Sequence, residues 1–219
     1  STLANMTSVL CGIALIASAG VGVVNMITEE PIALAKEAAT KAALMEVLPA
    51  FETTEEQTLT IDEMPITVYT ASNGGEVAGY AVQTMTKQGF NGVIRLMVGF
   101  TPDGEVVHVN VPEQAETPGL GTKMADEGNV LLGSIQGQKL ENKKLVDGKL
   151  AVKKDGGDVD ALTAATISSR AYVDAVNRAW MTYRSVAEGV AVTDTASGAT
   201  NTAAAQTNEP EAQEGGQNE

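Results

Sequence analysis

From Ser8 to Thr28 the chain reads SVLCGIALIASAGVGVVNMIT, a stretch without a single Asp, Glu, Lys or Arg. About 20 apolar residues in a helix, at roughly 1.5 Å each, span a hydrocarbon core. Residues 8–28 are therefore expected to form a transmembrane helix, with residues 1–7 as a short stub before it. Ala14, Ser18 and Gly22 recur at every fourth position on one face. That is the small-residue spacing by which helices approach closely in lipid, so partner helices in the bilayer are expected. Two rival readings are weaker. Ala17-Ser18-Ala19 resembles a signal cleavage site, but apolar residues continue for two more turns and no basic region precedes it. A lipoprotein would need Cys11 after a small residue, and Leu10 precedes it. No Lys or Arg occurs before Lys36, so positive residues give no orientation, and leader residues ahead of Ser1 are expected.

The remainder is long enough for one domain. A formal net charge of −14 excludes nucleic acid as a partner, because phosphate binding needs a Lys/Arg surface that releases counterions. Part of the acidity lies near the C-terminus, where Glu188, Asp194, Glu209, Glu211, Glu214 and Glu219 are expected to face no basic residue. Residues 191–219, rich in Ala, Thr, Asn, Gln and Glu without apolar periodicity, read as a disordered acidic tail. One cysteine permits neither an intrachain disulfide nor a Cys-ligated cluster, and no metal site is expected. His108 alternates with Val107 and Val109 and reads as structural. Aromatic residues make up only 4% of the chain, so a planar cofactor would need some means of retention other than stacking between rings.

Hydrophobic periodicity orders the middle of the chain. Thr28 as a cap, Glu29 and Glu30 in a first turn and Pro31 near the first position predict a second helix. It would run to Leu48 and bury Ala35, Ala38, Ala42, Met45 and Leu48. Strands are predicted at Thr58–Ile61, Ile66–Ala71, Val77–Met85, Gly92–Phe100 and Val106–Val111. Asn73-Gly74-Gly75 and Pro102-Asp103-Gly104 supply turns between such runs. A short helical stretch from Lys123 to Ile135 and a strand near Leu150–Val152 follow. A last helix over Ile167–Ala187 would bury Val173, Val176, Trp180, Tyr183 and Ala187 at 3-4 spacing. The fold class is α+β, an antiparallel-rich sheet flanked by helices, occupying residues 29–190.

Two segments carry chemistry. Asp160-Ala161-Leu162-Thr163-Ala164-Ala165-Thr166-Ile167-Ser168-Ser169 puts small and hydroxyl side chains at a helix start, where free N–H groups and the dipole favour an anion. On that physics alone, a Thr or Ser cap without a ligand is the simpler reading. Glu116-Thr117-Pro118-Gly119-Leu120-Gly121-Thr122 is a loop whose glycines permit close backbone approach. Alone it is an ordinary turn, neither a Walker loop nor a dinucleotide fingerprint. No general base, nucleophile pair or metal triad is evident, which fits electron relay better than bond-making chemistry.

Taken together, the two segments resemble the FMN-binding subunits of bacterial respiratory complexes: the G subunit of the Rnf ion-translocating complex and the C subunit of the sodium-translocating NADH:quinone reductase. Those families share an Asp, two residues, Ser or Thr, Gly or Ala, then Ala-Thr, matched here by Asp160 to Thr166. The resemblance also covers the N-terminal span, the ETPGLG loop and the closing helix. It is closer to the Rnf protein, whose opening residues look like Ser1-Thr2-Leu3-Ala4-Asn5-Met6. The resemblance implies covalent FMN, held through a phosphoester to Thr166 and placed there by a flavin transferase that uses FAD and Mg²⁺. Thr163, Ala165, Ile167, Ser168 and Ser169 would surround the phosphate. Glu116, Thr117, Gly119, Leu120, Gly121 and Thr122 would lie on the ring side.

The implied role is that of a non-autonomous redox subunit, single-pass in the bacterial inner membrane with its domain on the periplasmic side. It would pass electrons in a complex linking ferredoxin and NAD⁺ to ion translocation, beside other membrane subunits that carry the ion. A quinone-reductase-type FMN subunit and a noncatalytic single-span binding or scaffold protein are the alternatives. Ala164 stands where the family usually has Gly. Ser197-Gly198-Ala199-Thr200 spells the family core literally, but lacks the preceding Asp and a following helix, so Thr166 is preferred over Thr200.

Overall fold

The computed structural model describes residues 2–61 and 64–190. Ser1, residues 62–63 and residues 191–219, with the expected tail and Thr200, lie outside the described residues.

Helix α1 runs unbroken over Thr2–Val47 with Pro31 inside it. The expected break at Thr28 does not occur. The Thr28 hydroxyl turns back to the carbonyls of Val24 (2.8 Å) and Asn25 (3.3 Å) rather than capping a new helix. Pro31 costs the helix one N–H bond without ending it. The apolar part of α1 is long enough to cross a membrane and is not covered by the other described residues. The buried face of its last turns also differs from expectation. Ala43, Leu44, Val47 and Leu48 are buried while Met45 is exposed, because the sheet meets only the end of the helix.

Five strands follow: β1 (Thr53–Ile61), β2 (Met64–Asn73), β3 (Glu76–Thr86), β4 (Ile94–Phe100) and β5 (Val106–Glu113). They pair antiparallel in sequence order. The sheet is the predicted one, with β1 extended toward its start. Residues 53–57 carry no apolar alternation, yet their backbone pairs with β2 from Thr53↔Ser72 onward. Gly74 and Gly75 take φ of +60° and +88°, the conformation of a two-residue hairpin turn. Gly104 N donates to Thr101 O at 3.0 Å in the β4–β5 turn.

Alternation along the strands makes two faces. Ile66, Val68, Val82, Ile94, Leu96, Val98 and Phe100 point into the main core, which α3 (Thr166–Ala187) closes with Tyr172, Val176, Trp180 and Tyr183. Tyr69, Ala71, Ala81 and Met97 point the other way and receive Ala43, Leu44, Val47 and Leu48 of α1. Gly99 lies under this contact, where a Cβ would stand 1.7 Å from Val47 O. His108 Nε2 and Asn110 Nδ2 also reach Glu46 of α1, at 3.1 and 2.6 Å.

Between β5 and α3 the chain is mostly short turns. The helical stretch expected over 123–135 is split into a 3-10 turn at Gly121–Ala125 and α2 (Val130–Gly133). Asn129 divides them by capping α2, its Oδ1 accepting Leu132 N at 3.0 Å. The strand expected near Leu150–Val152 is a single parallel bridge, Val152↔Val159. Leu150 gives both its backbone groups to the Asn177 side chain instead, at 2.8 and 3.0 Å. Glu188, expected to face no basic residue, pairs with Arg184 one helical turn earlier.

Candidate functional site

The loop after β5 meets the start of α3 through one carboxylate. Glu116 is 3% exposed. Its Oε1 accepts the N–H of Asn91 at 3.1 Å, and its Oε2 accepts the hydroxyl of Ser168. Gln114 Oε1 holds the Glu116 N–H at 2.7 Å. A buried carboxylate is stable only when its lone pairs are satisfied, and here two segments donate to it, the β3–β4 loop and the first turn of α3, while Gln114 fixes its backbone. Gly121 sits on the same joint. A Cβ there would lie 2.6 Å from Ser168 Oγ and 2.7 Å from Glu116 Cβ, so its close approach is to the protein itself.

The rest of the loop bonds within itself. Thr117 O accepts the N–H of Leu120 (3.1 Å) and of Thr122 (3.4 Å), and Thr122 Oγ1 accepts that of Gly119 (2.9 Å). Gly119, at φ +74°, faces open space, and Leu120 is 39% exposed.

The start of α3 is built by Ser169. Its hydroxyl donates to Ala165 O (2.8 Å) and accepts Leu162 N (2.9 Å), which folds residues 162–165 into a tight turn. Ala164 takes φ +59° within it. Ala165 occupies the cap position with no side-chain cap bond. The first helical bond runs from Ser169 N to Ala165 O at 2.9 Å. The N–H groups of Thr166, Ile167 and Ser168 precede that bond and have no acceptor within the helix. The expected Ser or Thr cap is thus absent, and the hydroxyls of Ser168 and Ser169 face inward. Thr163 and Ile167 are exposed and Thr166 is half-buried.

A lysine that sequence reasoning missed completes the geometry. Lys154 Nζ donates to Thr166 Oγ1 at 2.8 Å. It stands on a 3-10 turn, Lys153–Asp155, whose neighbours are tied down on both sides. Lys153 pairs with Asp160 at 2.6 Å, and Asp155 takes two bonds from Arg170 at 2.7 and 2.5 Å. The Arg170 bonds hold the Asp155 carboxyl below its ordinary range, and the Lys153 bond does the same for Asp160. The one sequence signal for Lys154 was a Lys-Lys pair in a strongly acidic chain. Nothing in the spacing said that it would return to Thr166.

The structure therefore joins the two predicted segments at Glu116, Gly121 and Ser168, and presents Thr166 beside them. Three exposed apolar side chains flank the residues that touch Glu116: Phe90 (61% exposed) before Asn91, Leu120 before Gly121 and Ile167 before Ser168. Phe90 was not foreseen either. Among the described residues no three His, Cys, Asp or Glu side chains converge as a metal site would require.

This arrangement suits a phosphate on the Thr166 side, through uncapped N–H groups and an ammonium, and a flat apolar group beside it. A family profile described as FMN-binding domain matches residues 89–181, a span that includes both segments and Lys154. The chain is 36% identical over 176 residues to the G subunit of the ion-translocating oxidoreductase complex of Shewanella loihica, covering 75% of this chain and 82% of that one. To the protein of the same name from Shewanella amazonensis it is 34% identical over 180 residues, covering 77% and 82%. With that from Haemophilus influenzae it shares 43% over 112 residues, about half of each chain.

Proposed function

This chain belongs to the family of G subunits of ion-translocating oxidoreductase complexes, and from that premise we propose that it is a membrane-anchored electron-transfer protein carrying FMN esterified to Thr166. The observation that carries the reading is the setting of the Thr166 hydroxyl. It lies on the first residue of the 22-residue helix α3, no side chain caps that helix, and Lys154 is at 2.8 Å. A helix start of this kind favours a negative group through its free N–H groups and its dipole.

When bound, FMN supplies reversible one- and two-electron redox chemistry. The residues of this chain would hold it. The N–H groups of Thr166, Ile167 and Ser168 and the Lys154 ammonium face the phosphate, with Thr163 and Ala165 shaping the turn before it. Ser169 keeps that turn closed. Leu120, Ile167 and Phe90 offer apolar surface to a ring, with Thr117, Gly119 and Thr122 beside them. Glu116, Gly121 and Ser168 keep the ring side and the phosphate side in register.

The remainder of the proposal follows the family resemblance. The complex is of the Rnf type, linking ferredoxin and NAD⁺, and the coupled ion crosses through other membrane subunits. The domain lies on the periplasmic side of the bacterial inner membrane, and a flavin transferase using FAD and Mg²⁺ attaches the FMN. Apolar α1 supports anchorage, and its exposed Ala14, Ser18 and Gly22 face supports packing against partner helices.

Coexpression with a flavin transferase tests the attachment. The denatured band of the wild-type chain is expected to fluoresce and to carry the FMN mass increment, as is Thr200→Ala. Thr166→Ala is expected to lose both, and Thr166→Ser to regain a part. A wild-type chain without the increment would overturn the reading in favour of a noncatalytic single-span protein. Loss in Thr200→Ala instead would move the attachment to the second threonine.

A further inference from the structure

The attachment reading sets the Lys154 ammonium against the bound phosphate but gives it no part in the transfer itself. Lys153, Lys154 and Arg170 surround the start of α3. Lys153 is paired with Asp160, and Arg170 with Asp155, at 2.6 and 2.5 Å. Lys154 donates to a neutral hydroxyl, Thr166 Oγ1. An ammonium bond to a hydroxyl is charge-assisted on the donor side alone, whereas a bond to an oxyanion is charged on both sides. The Asp155 carboxylate feels the charge of Lys154 but takes its own bonds from Arg170, so the hydrogen bond of the ammonium is left for an oxyanion at Thr166.

We propose that Lys154 orients the Thr166 hydroxyl for flavin transfer and then binds the resulting phosphodiester; this rests on Thr166 being the attachment residue. In the transfer, Thr166 Oγ1 forms a bond to the FMN phosphorus of FAD. The pyrophosphate P–O bond to the AMP half breaks, AMP leaves with the bridging oxygen, and the hydroxyl proton is released. No electrons change hands. An ammonium carries three donors and no acceptor, so Lys154 does not take that proton. It fixes the rotamer of Thr166 and stabilises the charge on the phosphoryl oxygens, the main contribution a protein makes to such transfers. Once the ester forms, Oγ1 is a poor acceptor. The ammonium, a point charge on a flexible stem, shifts to the non-bridging oxygens.

The scaffold presets this lysine. Asp160 N donates to Ser134 Oγ at 2.9 Å, Asn177 clamps Leu150, and Lys153 N donates to Val159 O at 2.8 Å. These bonds fix the turn on both sides of Lys154. The two ion pairs next to it tie the same turn to residue 160 and to α3, and they occupy the competing carboxylates Asp155 and Asp160.

The test is a time course of intact mass, using the detergent-solubilised full-length chain, FAD, Mg²⁺ and a purified flavin transferase. The variants are Lys154→Met and Lys154→Arg. Loss of one exposed charged hydrogen bond predicts an initial rate about tenfold lower for Lys154→Met, with a shallower dependence on salt. Lys154→Arg is expected to return to within about threefold of wild type, because charge and donors are retained. Both variants should melt with the wild type, since the side chain is exposed. A Lys154→Met rate and salt dependence equal to wild type overturns the proposal, and so does a Lys154→Arg as slow as Lys154→Met. A wild-type chain that gains no flavin mass removes the attachment reading itself, an outcome the wild-type control reports separately.

Discussion

Ala164 shows why one position in the proposed attachment segment favours glycine. Its φ of +59° puts a Cβ in the left-handed region, which costs an L-residue roughly 1–2 kcal/mol. The turn is held regardless by the two bonds of Ser169 Oγ to Leu162 N and Ala165 O. Ala164→Gly removes the strain but adds about 0.4–1 kcal/mol of unfolded-state entropy. A net stabilisation near ~0.5 kcal/mol is expected, raising the midpoint of thermal unfolding by about 2 °C in a chain of this size. A fall in the midpoint would show that the Cβ is not strained. The substitution was visible in the sequence as a departure from the family pattern. Its physical meaning is a backbone angle, which no residue type states by itself.

At the scale of elements, the decisive joint is between α1 and the sheet. Residues 29–42 continue the helix for roughly 20 Å beyond the apolar stretch, and their side chains are almost all exposed. They form a stalk that separates the domain from the end of the proposed span. The stalk docks through Leu44, Val47 and Leu48 over Gly99, and through Glu46 to His108 and Asn110. Gly99→Ala would place a methyl 1.7 Å from the Val47 carbonyl oxygen, against backbone rather than a flexible side chain, so the helix end must move. A loss of about 1–3 kcal/mol is expected, as for overpacked cores. It should be accompanied by proteolytic cleavage of the stalk near residues 43–48, and an uncleaved variant would show that the joint tolerates displacement. Sequence periodicity placed the buried face on Ala35, Ala38, Ala42, Met45 and Leu48, of which Leu48 is buried as expected and the others are exposed. Ala35, Ala38 and Ala42 have helical spacing, but none of the described residues packs over them, and a stripe of alanines is equally compatible with solvent.

For the whole molecule, the closure of α3 on the sheet buries two phenols, Tyr172 and Tyr183, and burial raises both above their ordinary range. Tyr183 stacks on Phe100 at 4.8 Å between centroids, meets Tyr80 edge-on at 5.4 Å, and donates to Pro102 O at 2.9 Å. Burial, with smaller contributions led by Glu188, pushes its phenol up to about 12. The folded chain then keeps a proton that the unfolded chain releases near ~10. The stability from this group is complete below about pH 10 and is lost as pH rises toward about 12. Unfolding free energy should fall across that window, and Tyr183→Phe should make the fall shallower while leaving the part due to buried Tyr172; an unchanged slope in the variant would place the effect elsewhere.

The same closure marks the division between chain order and three-dimensional order. The apolar run, the five alternating strands with their Gly turns, and the last helix were legible in the sequence, because each depends on neighbours one to four residues away. The proposal of Thr166 likewise rests on a local pattern, and its place at the start of α3 was legible in the same way. What only the tertiary structure decided is how distant segments meet. Glu116 lies 52 residues before Ser168 and accepts its hydroxyl. Lys154 returns to Thr166 across a turn that Asn177 and Asp160 hold in place. These features depend on which buried or charged groups find partners across the fold, and the spacing of residues along a chain carries no record of that.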